Sequence, residues 1–520
     1  MENNGEKILT ERKAAEIYSE CTAEYVLPDY KGDIKRIMHT EARAAQSSRF
    51  VGEDGAEFGG KVVFDVLYLS SDDVLTSVTF DSDYSARYDF SDGVRDAFAA
   101  ERCEGVSVRL PGPRRISARA RTVLSVTESV ELNVAASGTT FAAQGGAETL
   151  DVPIMACKML EGKCQREKQR EQIAFYQGSV LNDLSVCAER ASVRTVSCAA
   201  SDGEILLDGE IYVSCLVTHE GAAPKHESVK IPFSERISVE GAADGMAAVG
   251  CGTVDSLAVN LEADDDGVHI DATLDVSYTA RAYTNTAVNV VKDAYSRCCE
   301  CENKYGEIEY TEFTDAKKAT SRVSREIPKK DTDAPFAHDI VSLFVSPSAH
   351  TAKIEGSEVK IDGEILFSGV ACEIKDDGSS DYVSFKIGVP FSEKVNFSCR
   401  IPQNASVEYT VDAIEPRMSV DGESFYLECG VSVSAVVGVP KKTECLLSSN
   451  VTDEIRTIHS PSVVTVYYPE KSDTLFGVAK KFKTSVQKIA EDNAMTAETV
   501  SRRSEGSSLS EYKKLVIKRM

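Results

Sequence analysis

Long apolar runs are missing from this sequence. No window of its 520 residues approaches the ~18 consecutive apolar residues that a membrane helix requires, which argues against a membrane span. The amino terminus, Met1-Glu-Asn-Asn-Gly-Glu-Lys, offers neither a basic n-region nor an apolar h-region. Nothing there directs export, and the expected location is the cytoplasm. Positive charge is scarce as well: 58 Lys and Arg stand against 83 Asp and Glu, a net charge of -25. Such a polyanion is repelled by nucleic acid and by anionic membranes, so no nucleic-acid partner is expected.

Catalytic and cofactor signatures are equally absent. No Gly-x-x-x-x-Gly-Lys-Ser/Thr loop occurs, and Gly250-Cys-Gly252 lacks the third glycine and the helix of a dinucleotide site. The seven histidines, at 39, 219, 226, 269, 338, 350 and 459, form no His-Glu-x-x-His pair and no nucleophile elbow. The expectation is a non-enzymatic protein with no cofactor. Fifteen cysteines are scattered and odd in number, which favours reduced thiols over a disulfide framework. Cys298-Cys299-Glu-Cys301 is the one dense thiol cluster, but no second Cys/His group stands at a metal-site spacing. Asp264-Asp-Asp-Gly267 lacks the alternating oxygens and distal Glu of a calcium loop, and reads as a hairpin turn.

What the chain does contain is a repeat. Asp208-Gly-Glu-Ile is followed by Ile231-Pro-Phe-Ser-Glu, and Asp362-Gly-Glu-Ile by Val389-Pro-Phe-Ser-Glu. A weaker copy starts at Gly59-Gly60-Lys-Val-Val-Phe, so Gly60, Gly209 and Gly363 recur at about one domain length. Around them Val62, Phe64, Val66 and Tyr68, and likewise Ile211, Val213 and Cys215, alternate as in half-buried strands. The glycine suits a tight entry turn, and the Pro-Phe suits an edge strand or strand start. Strands are also expected over Ile116–Val126, Val268–Tyr278 and Phe425–Val437. Short helical patterns cover Thr10–Tyr18, Gly162–Phe175 and Ala287–Tyr295, and connectors are expected over Asn303–Lys330 and Ser449–Ser462. The predicted architecture is mainly β: three tandem, sandwich-like β-rich repeat domains over 1–150, 151–315 and 316–455, then a small βααβ domain over 460–520.

The Asp/Gly-Glu-Ile strand, the Pro-Phe-Ser-Glu signature and Val290-Val-Lys-Asp-Ala-Tyr-Ser resemble the SPOCS domain of spore-forming Firmicutes, and the layout is similar to coat proteins that join such domains to a carboxy-terminal module. The resemblance implies a structural protein of endospore formation in the mother cell, at the forespore surface or in the coat. It also implies a partner, a coat morphogenetic ATPase of the SpoIVA type.

The carboxy-terminal segment differs from its carrier in charge. From Glu470 onward eleven Lys and Arg face seven Asp and Glu, leaving -29 on the rest. Val463-Val-Thr-Val-Tyr-Tyr reads as a strand, and Asp473 or Thr474 can cap a helix whose Leu475, Val478, Ala479 and Phe482 share one face. A second helix is expected from Thr484, with Gln487 at capping-box spacing, and Leu515-Val-Ile closes the unit. This order resembles the LysM family. The resemblance implies a shallow groove for N-acetylglucosamine glycans such as peptidoglycan, lined by Lys471, Ser472, Asp473 and Thr474 on one side and Asn493, Ala494 and Met495 on the other. Two departures bear on it: Ser472 replaces the usual glycine, and Glu511-Tyr512 stands where Pro-Gly is common. The same residues are therefore expected to serve either a protein partner or a glycan.

Overall fold

A computed structural model describes residues 8–132, 147–219, 224–374, 380–455, 464–496, 509 and 512–518. Strands form nearly everything before the tail. The first set is β1 (Ile8–Val26), β2 (Ile34–Val51), β3 (Gly55–Ser70), β4 (Leu75–Asp89), β5 (Val94–Gly112) and β6 (Arg115–Leu132). The second is β7 (Ala147–Gln177), β8 (Leu184–Ser201), β9 (Glu204–His219), β10 (Lys225–Ser238), β11 (Ala247–Ala263) and β12 (Gly267–Ser296). The third is β13 (Cys299–Pro328), β14 (Ala337–Glu355), β15 (Glu358–Ile374), β16 (Ser380–Asn396), β17 (Ser406–Asp421) and β18 (Ser424–Ile455). The tail follows as β19 (Val464–Tyr467), α1 (Leu475–Phe482), α2 (Val486–Asp492) and β20 (Leu515–Lys518).

Each set of six strands makes the same pair of antiparallel sheets: the second, third and fourth strands form a meander, and the first, sixth and fifth form the facing sheet. Alternation drives the packing. In β3 the side chains of Val62, Phe64, Val66 and Tyr68 are fully buried, and Ile211, Val213 and Cys215 repeat this in β9. Where the two sheets of the first set approach, β2 lies beside β5 and β1 beside β4, each remaining in its own sheet.

The two repeated signatures are one cross-strand device. Asp208 lies opposite Ser234 and accepts its hydroxyl at 2.7 Å, while Gly209 lies opposite Phe233. In the third set Gly363 likewise faces Phe391, and Asp362 faces Ser392. A Cβ on Gly209 would sit 2.2 Å from the Arg194 carbonyl oxygen and 2.5 Å from the Phe233 ring. The aromatic ring thus occupies the space the glycine vacates. These glycines stand mid-strand and not at an entry turn, which corrects the sequence expectation; Pro232 and Pro390 do lie on the edge strands β10 and β16.

A shared irregularity joins the three sets. Register slips between Ile37 and His39 in β2, Val186 and Ala188 in β8, and Ile340 and Ser342 in β14. The displaced residues, Met38, Cys187 and Val341, are buried in one cluster with Leu67, Leu216 and Val370, the residues seven places after Gly60, Gly209 and Gly363. Equivalent positions of all three repeats therefore meet around an approximate threefold centre. Every pair of repeats is in contact: Arg190 with Glu41 at 2.9 Å, Arg36 with Asp381 at 3.0 Å, and Lys318 with the Thr195 carbonyl at 2.7 Å. His39 stacks on Phe344 with ring centroids 3.9 Å apart. Burial there, with Arg190 and Lys386 nearby, pushes the imidazole pKa down to about 3, so it is neutral.

Several sequence expectations are corrected. Thr10–Tyr18, Gly162–Phe175 and Ala287–Tyr295 are parts of β1, β7 and β12 and not helices. Asn303–Lys330 is mostly β13, an edge strand whose outward face is charged. The boundary set at 315/316 falls inside β13, whose pairing with β18 begins at Cys299, and the one at 150/151 falls inside β7. Of the connector 449–462, residues up to Ile455 belong to β18 and the remainder lies outside the described residues. Asp264 does make a hairpin turn, accepting from the amides of Asp266 and Gly267.

Two strand pairs overrun their sheets and position the tail. β11 stops pairing at Tyr283, but β12 continues with β7 alone as far as Ser296. The β13–β18 pair overruns β17 in the same way. The two ribbons stack, burying Ile154, Val288 and Val290 against Ile308 and Cys445. Asn285 locks them by exchanging hydrogen bonds with both backbone groups of Phe313, at 2.7 and 2.8 Å.

Candidate functional site: the tail module and its dock

The tail folds as the sequence implies, with β19 antiparallel to β20 and two short helices covering one face of the pair. Thr474 is the α1 N-cap, accepting the Gly477 amide at 3.0 Å. At the other end Lys483 adopts φ 53°, and the Thr484 amide reaches back to the Ala479 carbonyl, closing the helix in a Schellman turn. This uses up Thr484, so the α2 N-cap is Ser485, which accepts the Lys488 amide, and not the expected Thr484.

The two loops expected to line a groove are spent largely on internal bonds. The Asp473 carboxylate accepts the Tyr467 hydroxyl at 2.7 Å and the Glu470 amide at 2.8 Å. Burial alone would raise this carboxyl, but the Glu470 amide, the Tyr467 hydroxyl and the Lys481 charge hold it below its ordinary value. Asn493 clamps α2 to β20: its amide donates to the Ile489 and Val516 carbonyls at 2.8 and 2.7 Å, and its oxygen accepts the Val516 amide at 2.8 Å. Ala494 follows at φ 52° in a left-handed turn, and Met495 packs partly into the module core with Leu475 and Leu509. The Leu509 amide bonds the Asp473 carbonyl at 3.1 Å, which ties the long second loop to the first. Lys471, Ser472 and Ala494 are exposed. Residues 497–508, 510 and 511 of the long loop, with Glu511 among them, lie outside the described residues.

Sequence reasoning missed two features. The first is a dock. Phe476, off the apolar stripe of α1, is buried because Tyr295 of β12 meets it edge to face at 5.2 Å. The Tyr295 hydroxyl donates to the Thr484 carbonyl at 2.5 Å, and Lys480 reaches both Asp293 carboxylate oxygens at 2.8 and 2.6 Å. Asp293 and Tyr295 both belong to the Val290-Val-Lys-Asp-Ala-Tyr-Ser phrase, so that signature holds the tail on the ribbon. A buried-looking aromatic off the helix stripe was the available signal.

The second feature is a bare sheet face. Val464, Val466 and Tyr468 are 49%, 48% and 70% exposed, and Val516 lies opposite Val466 on the same face. Lys518 pairs with Val464, and Lys513 and Lys514 precede β20. Because α1 packs on both the ribbon and Tyr467, whose ring meets Phe482 at 5.3 Å, the dock occupies the helical side of the module. The sheet face points away from it.

Residues 470–500 match the family model of the LysM domain. This covers the helices and both groove loops as far as they are described, and the family points to binding of peptidoglycan-type glycans or to an adaptor role. No curated protein and no solved structure matches the chain. No described helix is long and apolar enough to cross a membrane. No group of three or more His, Cys, Asp or Glu side chains arranged to hold a metal ion occurs among the described residues.

Proposed function

We propose that this chain is a non-catalytic adaptor whose LysM module, held in a set orientation by the ribbon, docks on a protein partner. The observation that carries this reading is the contrast between the two surfaces of the module. The groove's polar side chains, Asp473, Thr474 and Asn493, are occupied by internal hydrogen bonds, whereas the sheet face offers Val464, Val466 and Tyr468 uncovered. An apolar strip with an aromatic residue and flanking lysines suits an acidic protein surface, since such residues supply most of the energy of a protein interface. The resemblance to SPOCS-domain coat proteins supports a coat morphogenetic ATPase of the SpoIVA type as that partner, and endospore formation as the setting.

Peptidoglycan is the second reading. It is favoured by the LysM match itself and by the exposed Lys471, Ser472 and Ala494 at the groove mouth. A side-by-side assay separates the two: the full chain is tested for retention on a purified ATPase of this kind and for co-sedimentation with washed sacculi. Retention without sedimentation is expected. Sedimentation without retention refutes the adaptor reading and makes the module a glycan binder.

A further inference from the structure

The turn between the second and third repeats carries chemistry that the adaptor reading does not use. β12 ends at Ser296 and β13 begins at Cys299, so Arg297 and Cys298 make the whole connection. Cys298 is exposed, Cys299 is half-buried, and their sulfurs lie 3.7 Å apart. Buried Ser296 is the hub of the turn: its hydroxyl oxygen accepts the amides of Cys298 and Cys299 at 3.3 and 3.2 Å, and lies 3.6 Å from the Cys298 sulfur. Hydrogen bonds from Ser296 and Cys299, with the nearby Arg297 charge, hold the Cys298 thiol below its usual range. The bond to Cys298 raises Cys299. Both shifts, with the exposure of Cys298, favour Cys298 over Cys299 as the attacking thiol.

We propose that Cys298 and Cys299 form a reversible vicinal disulfide, making this turn a modification site for low-molecular-weight disulfides. The Cys298 thiolate attacks one sulfur of R–S–S–R, forming a mixed disulfide and releasing R–S⁻. The released R–S⁻ takes the Cys299 proton, and the Cys299 sulfur then attacks the Cys298 sulfur and expels the second R–S⁻, which takes up the proton that Cys298 gave up. The two protein thiols lose two electrons and two protons, and the reagent is reduced to two R–SH. Ring closure brings the sulfurs from 3.7 Å to about 2 Å. Adjacent Cα atoms, about 3.8 Å apart, are closer than disulfides prefer, so the bond is strained and easily reduced. Closure must also reorient the two amides that Ser296 holds. Tyr295 and Asp293, the dock for the LysM helix, stand one and three residues before Ser296, so oxidation loosens the module from the ribbon.

The test uses the full chain incubated with glutathione disulfide, followed by mass mapping of the peptide containing both residues. The expected result is a loss of two hydrogens on that peptide, reversed by dithiothreitol, abolished by Cys298→Ser or Cys299→Ser and retained in Cys301→Ser. A persistent glutathione adduct on Cys298, or a bridge to Cys301, overturns the site. Hydrogen exchange of the α1 amides is expected to be about tenfold faster in the oxidised protein. Equal exchange in the two states overturns the link to the dock.

Discussion

The contact between Tyr295 and the LysM module fixes the module on the ribbon. Tyr295→Phe keeps the ring against Phe476 but removes the hydroxyl that donates to the Thr484 carbonyl. Tyr295 is 1% exposed and Thr484 is 9% exposed, so that carbonyl is left buried without its partner. Such a loss costs about 1–3 kcal/mol. Phe476→Leu removes instead the edge-to-face pair, worth about 0.5–1.5 kcal/mol beyond the area it buries. Because both changes act on one contact, the double variant should lose less than the sum of the singles, with a coupling of about 0.5–1 kcal/mol. Hydrogen exchange of the α1 amides reads this directly. Each 1.4 kcal/mol is a tenfold change in opening, so Tyr295→Phe should speed exchange roughly tenfold while the amides of β15 and β9 stay protected. Unchanged α1 protection in Tyr295→Phe would show that the module is not held by the ribbon.

Other consequences follow from the same geometry. Lys483→Gly and Ala494→Gly each relieve a left-handed residue at a helix end and should stabilise the module by about 1 kcal/mol, seen as slower exchange in α1 and α2. Asn493→Ala leaves the Val516 amide and carbonyl without their side-chain partner and should cost about 2–3 kcal/mol by the same measure. Gly209→Ala drives a Cβ against the Arg194 carbonyl and the Phe233 ring, and should cost about 1–3 kcal/mol in urea unfolding of the second repeat. His39, whose folded pKa lies near 3 against an ordinary 6.5, binds its proton far more readily when unfolded. Its contribution to the threefold centre is therefore complete above pH 6.5 and drains away as pH falls towards 3, about 2 kcal/mol being lost at pH 5. His39→Phe should flatten that dependence in urea titrations at pH 7 and pH 5.

Local pattern made some of this legible in the sequence and non-local pairing hid the rest. The tail was readable because its caps, apolar stripe and strands lie within some fifty residues, and the β character of the carrier was readable from runs such as Val62 to Tyr68. Ala287–Tyr295 was misread as helical because β12 there leaves its three-stranded sheet and pairs with β7 alone, so both the ribbon stack and the dock demand apolar residues and blur the period of two. Asn303–Lys330 looked like a connector because β13 is an edge strand, where exposed Lys, Arg and Glu deter pairing with other chains. Met38, Cys187 and Val341 share no residue type, only a bulge. Their meeting depends on how three distant repeats close, which no local window contains. Asp473, Thr474 and Asn493 stand at the ends of the two tail helices, and the sequence did not reveal that their side chains are already engaged. The Val464–Val466–Tyr468 face went unnoticed because strand propensity alone accounted for it.

The most direct test of the central claim is calorimetric titration of the full chain and of its Val466→Lys variant into a purified coat morphogenetic ATPase. Val466 is 48% exposed and points away from the module core, so the substitution leaves the fold intact. Binding by the parent chain and at least tenfold weaker binding by the variant are expected, the ~1.4 kcal/mol of one apolar contact at an interface centre. Equal affinities, or binding by neither chain while both sediment with peptidoglycan, would contradict the claim.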